Sequence, residues 1–564
     1  MKKVPVRDPV PQAADNALQN YSELQRRLLW YRGIKTAEAA DVFLNPSYER
    51  DLHDPFLILN LEKAVDRILA AIEAKEQVVI YGDYDCDGIP GTTALYGFFE
   101  KINYPHLRVY VPHRYREGYG LNNEAIQQFS NDDVKLIITI DSGITDVEQV
   151  AFAQRLGIDV IITDHHLVQE KVPKAFAVVN SKQSEDTYPF DQLCGAGVAF
   201  KLVQGLLKKG NFGLSEGWEK WLLDVVGIAT IADMVPLTGE NRVLAYFGLK
   251  VLRQTPRTGL AHLLQKMGVK REHLNEDDVG FSIAPVVNAA SRLGTPIDAF
   301  HMLASRNPVQ AMGQAEALYA LNTERKIQVK TMIQEAHAMV GARELGAVLV
   351  VGRQEWKPGL LGLAASSLAE HYERPTFVWG REGSTEVKGS CRSDGRVNMV
   401  DLMVAAGDVF VDRGGHAFAG GFSCADEQLE RLESALAVAH ASLAQPDVDM
   451  GCPSLIADKK VEIDEVTWKM YDEVTALAPF GVGNEKPLFL LENVPVAAVR
   501  MFGKEKNHLQ LNLQKSDRGI VPAIKFFTKQ SPVRAGERVS LLAHLEKSTF
   551  GYKPELRLRI VDIW

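Results

Sequence analysis

The sequence predicts a multidomain α/β chain, and three observations carry that prediction. Between about residues 60 and 165, short β-branched apolar runs (Val78–Tyr81, Leu136–Ile140, Val160–Thr163) alternate with stretches of helical periodicity. Strands buried on both faces and separated by helices form a parallel, doubly wound sheet. From Asn307 to about Leu345 the chain is rich in Ala, Glu and Lys with few breakers, which predicts one long connecting helix. Near the end, His508–Gln514 and Leu556–Ile560 alternate strictly between apolar and other residues, as half-buried strands do. They lie among short runs and Gly/Pro turns that suit a small OB-like β-barrel.

The expected order is therefore an N-terminal segment (1–50), a large α/β domain (51–305), the connecting helix (306–345), a smaller α/β domain (346–445) and a β domain (455–564). In the large domain, Thr92–Ile102, Asp146–Leu156, Val198–Leu207 and Trp218–Ala232 carry helical spacing. In the smaller one, Ala347–Val351 and Thr376–Trp379 read as strands, Leu361–His371 as a helix and Arg413–Phe422 as a glycine-rich loop. Ala441–Pro453 reads as a linker.

Bulk properties bound the function. A chain of 564 residues with 46% hydrophobic and 24% charged residues is ordinary for a soluble protein of about three or four domains. No apolar run reaches the ~18 residues of a membrane span, and MKKVPVRDPVPQAADN lacks the apolar core of a secretory signal. Five scattered cysteines without a CxxC pair argue for reduced thiols, a cytoplasmic location and no zinc site. A monomer is expected. The net charge of −9 means that any nucleic-acid surface is a local patch. Pro495–Trp564 offers one, with thirteen Lys/Arg against six Asp/Glu. Phe502, Phe526, Phe527, Phe550 and Tyr552 interleave with those bases, as a stacking platform for a single strand requires. The blander alternative is a solvated basic face over barrel-core aromatics.

The chemistry concentrates in YGDYDCDGIPG, Tyr81–Gly91, where Asp83, Asp85 and Asp87 follow a predicted strand. A calcium EF-hand is excluded because its twelfth position is Ala94 and a strand, not a helix, precedes it. A phosphate loop is excluded because no Gly-Lys-Ser/Thr follows. The next two strands also end on acids, Asp141 and Asp164-His165-His166. In a parallel sheet the carboxyl ends of the strands line one crevice, so these groups converge there. Asp233, after the apolar run VVGIATIA, is a further acid for the same place. Taken singly, a strand-end aspartate is ordinarily a helix cap; three successive strand ends of this kind point instead to a metal. The Asp/His mixture suits Mn²⁺ or Mg²⁺.

GDYDCDG, TIDSGI (Thr139–Ile144), TDHH (Thr163–His166) and ATIADMVPLTGENR (Ala229–Arg242) resemble the successive motifs of the DHH phosphoesterase superfamily. In detail they resemble its branch of bacterial single-strand-specific 5′→3′ DNA exonucleases. VNAASRLG (Val287–Gly294), WKPGLLG (Trp356–Gly362), GSCRSDG (Gly389–Gly395) and GGH (Gly414–His416) add the partner DHHA1 pattern, and the branch also carries an OB-like domain at its end. The resemblance spans nearly the whole chain. It implies a DHH catalytic domain, a DHHA1 domain and two divalent ions held by Asp85, Asp87, Asp141, His165 and Asp233. Related pyrophosphatases have a metal-binding histidine where this chain has Tyr81, and Asp83 is the residue expected to take over that role. Two further departures, Trp356-Lys357-Pro358-Gly359 for W-H-P-G and GGHAFAGG for GGHxxAAG, leave size and backbone freedom largely unchanged.

The resemblance also implies roles around the metals. Asp87 and His166 would serve the reaction, with His166 beside the scissile phosphate, and Arg292, close to Asn288, would clamp a nonbridging oxygen. Ser390, Arg392, Gly415 and His416 would form a pocket for a terminal phosphate, with Arg114 a further group for the 5′ end. The implied activity is degradation of single-stranded DNA to 5′-mononucleotides in DNA repair and recombination, with a single-strand-binding protein and a RecQ-type helicase as partners. The competing readings are a phosphodiesterase for short oligoribonucleotides or cyclic dinucleotides, and a non-catalytic DNA-binding scaffold. The basic β domain favours a long polymer, and the filled ligand positions favour an enzyme.

Overall fold

The computed structural model describes residues 4–382, 386–443, 455–528, 530–549 and 553–564. Its first sheet has five parallel strands: β1 (Gln77–Gly82), β2 (Leu107–Tyr110), β3 (Val134–Ile140), β4 (Asp159–Thr163) and β5 (Ala177–Val179), in the order β2-β1-β3-β4-β5. Period-two alternation sends Val78 and Ile80 into the core under the helices Leu61–Ala74, Gly88–Lys101 and Gly195–Lys209. Val79 and Tyr81 face the opposite core, against Ile126, Phe129 and Val150. Both faces are thus covered, which is why these strands read as unbroken apolar runs. The strand order reverses between β1 and β3, so a ligand crevice is expected beyond their carboxyl ends.

A helical layer follows, in which Leu223–Ala232 crosses Gly239–Leu252 at the pair Gly227 and Gly248. A Cβ on Gly227 would lie 2.7 Å from the Gly248 Cα, so only glycine allows that approach. The expected long helix is present as Pro308–Gly341, 34 residues capped by the Asn307 side chain, or about 50 Å at the usual rise. Ala315 and Leu318 pack against the first domain, and Met332, Ala336 and Val340 against the second.

The second sheet comprises β6 (Leu349–Arg353), β7 (Thr376–Gly380), β8 (Val387–Arg392), β9 (Asp412–His416) and β10 (Ala419–Cys424), ordered β6-β7-β8-β10-β9. This corrects one expectation: Arg413–Phe422 is a β-hairpin, not a loop. Its glycines make room for neighbours. A Cβ on Gly389 would meet the Phe422 ring at 2.0 Å, and one on Gly415 (φ +147°) the Ala419 carbonyl at 2.3 Å.

The third unit comprises β11 (Lys459–Lys460), β12 (Phe489–Phe502), β13 (His508–Gln514), β14 (Ile520–Lys525), β15 (Arg538–Ser548) and β16 (Glu555–Ile563). β12 pairs with both β13 and β15, which closes the sheet into a barrel. Much of the N-terminal segment packs on this unit, although Tyr48 packs against the first domain. Leu24 and Leu28 sit in the barrel core, Val6 bridges to Ala457, and Arg27 donates to the carbonyls of Asp458 and Arg7. The barrel is fastened to the first domain by Arg242, whose guanidinium donates to the carbonyls of Phe43, Ala478 and Pro479. Cys86, Cys194, Cys391 and Cys424 are buried and unpaired. Cys452, Phe550, Tyr552 and the expected linker from residue 444 onward lie outside the described residues. Among the described residues no helix is long and apolar enough to cross a membrane.

Candidate active site

The turn after β1 is shaped by its own acids. Asp85 Oδ1 accepts the backbone N–H groups of Asp87 (2.8 Å) and Gly88 (3.1 Å), which starts the helix Gly88–Lys101. A Cβ on Gly88 would lie 2.6 Å from the Asp83 carbonyl, so the turn needs glycine there. Asp87 is buried against the start of Gly195–Lys209, its two oxygens accepting from the N–H groups of Gly195 (2.6 Å) and Ala196 (2.8 Å). A helix N-terminus favours such an anion. Asp141 leaves β3 in the left-handed conformation (φ 62°), and a Cβ on Gly195 would press on its side chain at 2.6 Å.

Around this turn the other expected ligands assemble. His165 Nε2 lies 3.2 Å from Asp141 Oδ1, 3.6 Å from Asp87 Oδ2 and 3.7 Å from Asp233 Oδ2. Asp233 is delivered by the C-terminus of the helix Leu223–Ala232. Three groups have potential ligand atoms within 4.8 Å of one another: Asp83/Asp85/Asp141, Asp87/His165/Asp233 and Asp141/His165/His166. All six predicted metal residues therefore converge, from four separate segments of the chain.

Electrostatics mark the cluster as a cation site. Burial, then Asp85, pushes Asp87 up to about 7. Burial, then Asp87 and Asp85, pushes Asp233 up to about 9. Asp83 and Asp141 are also raised, by burial first and by neighbouring carboxylates after it. Burial and the neighbouring His166 hold His165 down to about 3, so its imidazole is neutral, as a metal ligand must be. Asp83 Oδ1 and Asp141 Oδ1 are sealed from solvent and accept no hydrogen bond. Buried anionic oxygens without a partner are costly, and an oxygen-seeking divalent ion fits them.

One strand-end acid takes a role that the sequence does not show. Asp164, fully buried, accepts at Oδ1 from the N–H groups of His165 (2.7 Å) and His166 (3.1 Å) and lies 2.8 Å from His166 Nδ1. Its Oδ2 accepts from the Ile144 N–H. Burial opposes ionisation of both groups, but their contact outweighs it: Asp164 is held low and His166 is raised. A carboxylate behind a histidine fixes its tautomer and orientation. The TDHH spacing is visible in the sequence, but not that the turn points both N–H groups at one oxygen. Tyr119 adds its hydroxyl, 3.1 Å from the Asp141 carbonyl and 3.2 Å from His166 Nδ1.

The predicted phosphate-binding residues come from both α/β domains. Arg292 Nη1 donates to the Gly359 carbonyl (3.0 Å). Arg114 lies over the Tyr84 ring at 5.2 Å, and its charge reaches both Asp83 and Arg292. Ser390 and Arg392 flank Gly362, where a Cβ would lie 3.2 Å from Ser390 Oγ and 2.9 Å from Arg392 Nη2. Register aligns Arg392, Ala419 and His416 across β8, β10 and β9, so Arg392 and His416 share one face of the sheet two strand spacings apart, about 10 Å. Gly415 and His416 are on the exposed edge strand, and Asn288 is half-buried.

The barrel faces the first domain across a groove of about 1750 Å³, whose lining includes Lys250, Arg253, Arg500 and Phe526. Beside it, Phe502, Phe526 and Phe527 gather around His508 with ring centroids 5.2–5.3 Å away, and Phe527 is 85% exposed. Not every base counted from sequence is free, since Arg557 and Arg559 both pair with Glu546.

Comparison with known proteins agrees with this architecture. The model of the DHH family N-terminal domain matches residues 77–230, that of the DHHA1 domain 345–445 and that of the RecJ OB domain 457–562. The chain is 35% identical over 540 residues to the single-stranded-DNA-specific exonuclease RecJ of Bacillus subtilis, covering 95% of this chain and 67% of that protein. It is 29% identical to the Escherichia coli protein of that name, covering 96% of each. A crystal structure of exonuclease RecJ bound to manganese superposes with a TM-score of 0.61 at 28% identity, over 69% of this chain and 96% of that one. RecJ of Thermus thermophilus in complex with Mn²⁺ shares the fold, with a TM-score of 0.82 at 24% identity over 99% of this chain and 79% of that one.

Proposed function

The chain belongs to the RecJ family of single-stranded-DNA-specific exonucleases, and from that premise we propose that its acidic centre hydrolyses single-stranded DNA stepwise from the 5′ end to 5′-mononucleotides. The observation that carries this reading is the cluster of five aspartates and one neutral histidine, next to a set of arginines between the two α/β domains.

Asp83, Asp85 and Asp141 would hold one Mn²⁺ or Mg²⁺ and Asp87, His165 and Asp233 the other, with Asp141 able to serve both. When bound, such a pair acidifies a water and offsets the charge of a phosphodiester under attack. The chain's own groups do the rest. Arg292 orients a nonbridging oxygen with its planar fork, assisted by Asn288. His166, whose proton affinity Asp164 raises against the effect of burial, would donate to the departing 3′ oxygen of the terminal nucleotide as the P–O3′ bond breaks and the water oxygen bonds to phosphorus. The shortened strand then begins with a new 5′-phosphate, and the cycle repeats.

Ser390, Arg392, Gly415, His416 and Arg114 would hold the 5′-terminal phosphate, which sets polarity. Arg392→Ala should abolish the preference for 5′-phosphorylated over 5′-hydroxyl strands, a difference on the order of ten- to a hundredfold. Kinetics on the two strand types decide it; a retained preference puts the polarity pocket elsewhere.

The barrel would grip the strand beyond the cleft, which favours long polymers over cyclic dinucleotides. Phe527→Ala should weaken binding to long strands by about 1–3 kcal/mol, the usual worth of one base stacked on an aromatic ring. Affinities for a 30-mer and a trimer would be compared, and an equal loss on both would contradict the assignment. Roles in repair and recombination, a cytoplasmic location, and a single-strand-binding protein and RecQ-type helicase as suppliers of the strand belong to the same reading.

A further inference from the structure

Arg114, Arg292, Arg325 and Arg392 come from four separate segments, and among the described residues their hydrogen-bond partners include no carboxylate. Arg114 stacks on Tyr84, Arg292 donates to the Gly359 carbonyl, Arg325 Nε to Asn322 Oδ1 (3.0 Å), and Arg392 to Ser366 Oγ and the Cys391 carbonyl. Arg325 sits on the connecting helix. Four residues before it, Leu321 packs on Gly294, where a Cβ would lie 2.9 Å from Leu321 Cδ2. Four residues after it, Val329 packs with Leu293, Leu360 and Leu361. Residues four apart share a helix face, so Arg325 lies between the end of the helix bearing Arg292 and the start of the helix Pro358–Tyr372. Arg292 feels the result. Burial first, then Arg114, with Arg325 and Arg392 adding, lowers it to about 10.

Like charges gathered in a half-buried interface disfavour the fold unless an anion joins them. A 5′-terminal phosphate carries about two negative charges and each following phosphodiester one. Arg392 with Arg114 matches the terminal group and Arg292 the scissile phosphate, which leaves one guanidinium over.

We propose that Arg325 is a further substrate-binding residue, through which the connecting helix holds a backbone phosphate of the strand adjoining the 5′-terminal and scissile phosphates. This rests on the terminal-phosphate reading above. The connecting helix thereby joins the site instead of serving only as a spacer.

The test uses the full-length Mn²⁺-loaded enzyme and a 5′-phosphorylated oligodeoxynucleotide. Arg325→Ala should raise KM about tenfold or more, as loss of a charge-assisted phosphate contact does. The dependence of log KM on log salt should become shallower by about 0.7, one single-strand phosphate contact. The melting temperature should hold or rise, because a like charge has gone. Arg325→Lys should restore the salt slope and only part of KM, since a point charge lacks the fork. Unchanged KM and salt slope in Arg325→Ala, or a loss confined to melting temperature, overturn the proposal. Arg392→Ala is measured alongside: if it responds while Arg325→Ala does not, only Arg325 is misassigned, and if neither responds the terminal-phosphate reading has failed as well.

Discussion

Asp141→Asn is expected to abolish hydrolysis and, in the same protein freed of metal, to raise the melting temperature. Asp141 belongs to two of the three potential ligand groups, so its loss compromises both ions. Two-metal stabilisation is worth several kcal/mol, which corresponds to a rate loss on the order of a thousandfold or more. Without metal the sign reverses. Burial and neighbouring carboxylates raise Asp87 to about 7 and Asp233 to about 9, and raise Asp83 and Asp141 as well. The folded protein therefore binds these protons more tightly than the unfolded chain, whose aspartates titrate near 4. Stability is full below that value and is lost as pH rises through about 7 and 9. Metal-free wild type should thus melt at progressively lower temperature between about pH 5 and 9, and Asp141→Asn should flatten the decline. Added Mn²⁺ at about a thousand times its Kd should stabilise the wild type by about 4 kcal/mol per site. Near-wild-type turnover in the metal-saturated variant, or wild-type stability that rises with pH in chelator, would contradict the assignment.

How much of this centre is legible in the sequence follows from what each residue depends on. Asp85, Asp87, Asp141 and His165 follow strands buried on both faces, and the crevice rule for parallel sheets brings strand ends together without further information. Asp233 is legible because its apolar helix ends on it. Asp164 stands in plain view, but its partnership with His166 depends on backbone N–H directions that composition does not encode. The hairpin β9–β10 reads as a loop because Arg413–Phe422 has a loop's glycine content. What makes it a strand pair is tertiary: the Phe422 ring occupies the space above Gly389, and such packing overrides local propensity. Likewise the pairing of Arg557 and Arg559 with Glu546 emerges only from the register of β15 on β16, so a charge count overstates the free bases. The seating of Leu24 and Leu28 in a barrel more than 400 residues away has no local signal at all.

The largest stability effect is expected from a buried ion pair outside the acidic cluster. Lys201 and Glu240 form an ion pair with no solvent exposure at either side chain. Lys201 also donates to the His53 carbonyl, while Glu240 accepts from the His53 N–H and the Tyr188 hydroxyl. Four segments of the first domain meet there, among them the helix Gly195–Lys209 whose N-terminus cradles Asp87. Burial lowers Lys201 and the carboxylate counters it, so the pair stands or falls together. Lys201→Met strands Glu240 as an unpaired buried anion, which costs about 3–5 kcal/mol. For a domain of this size that is a drop in melting temperature on the order of ten degrees. Lys201→Met with Glu240→Gln removes the stranded charge, keeps an oxygen for the His53 N–H and turns an amide N–H toward the Tyr188 oxygen, so it should recover a substantial part of the loss, more than the two single changes would give if they added. Calorimetry of the four proteins at neutral pH measures that coupling. Additive losses would mean that water already reaches the pair and that the segments are held together by packing alone.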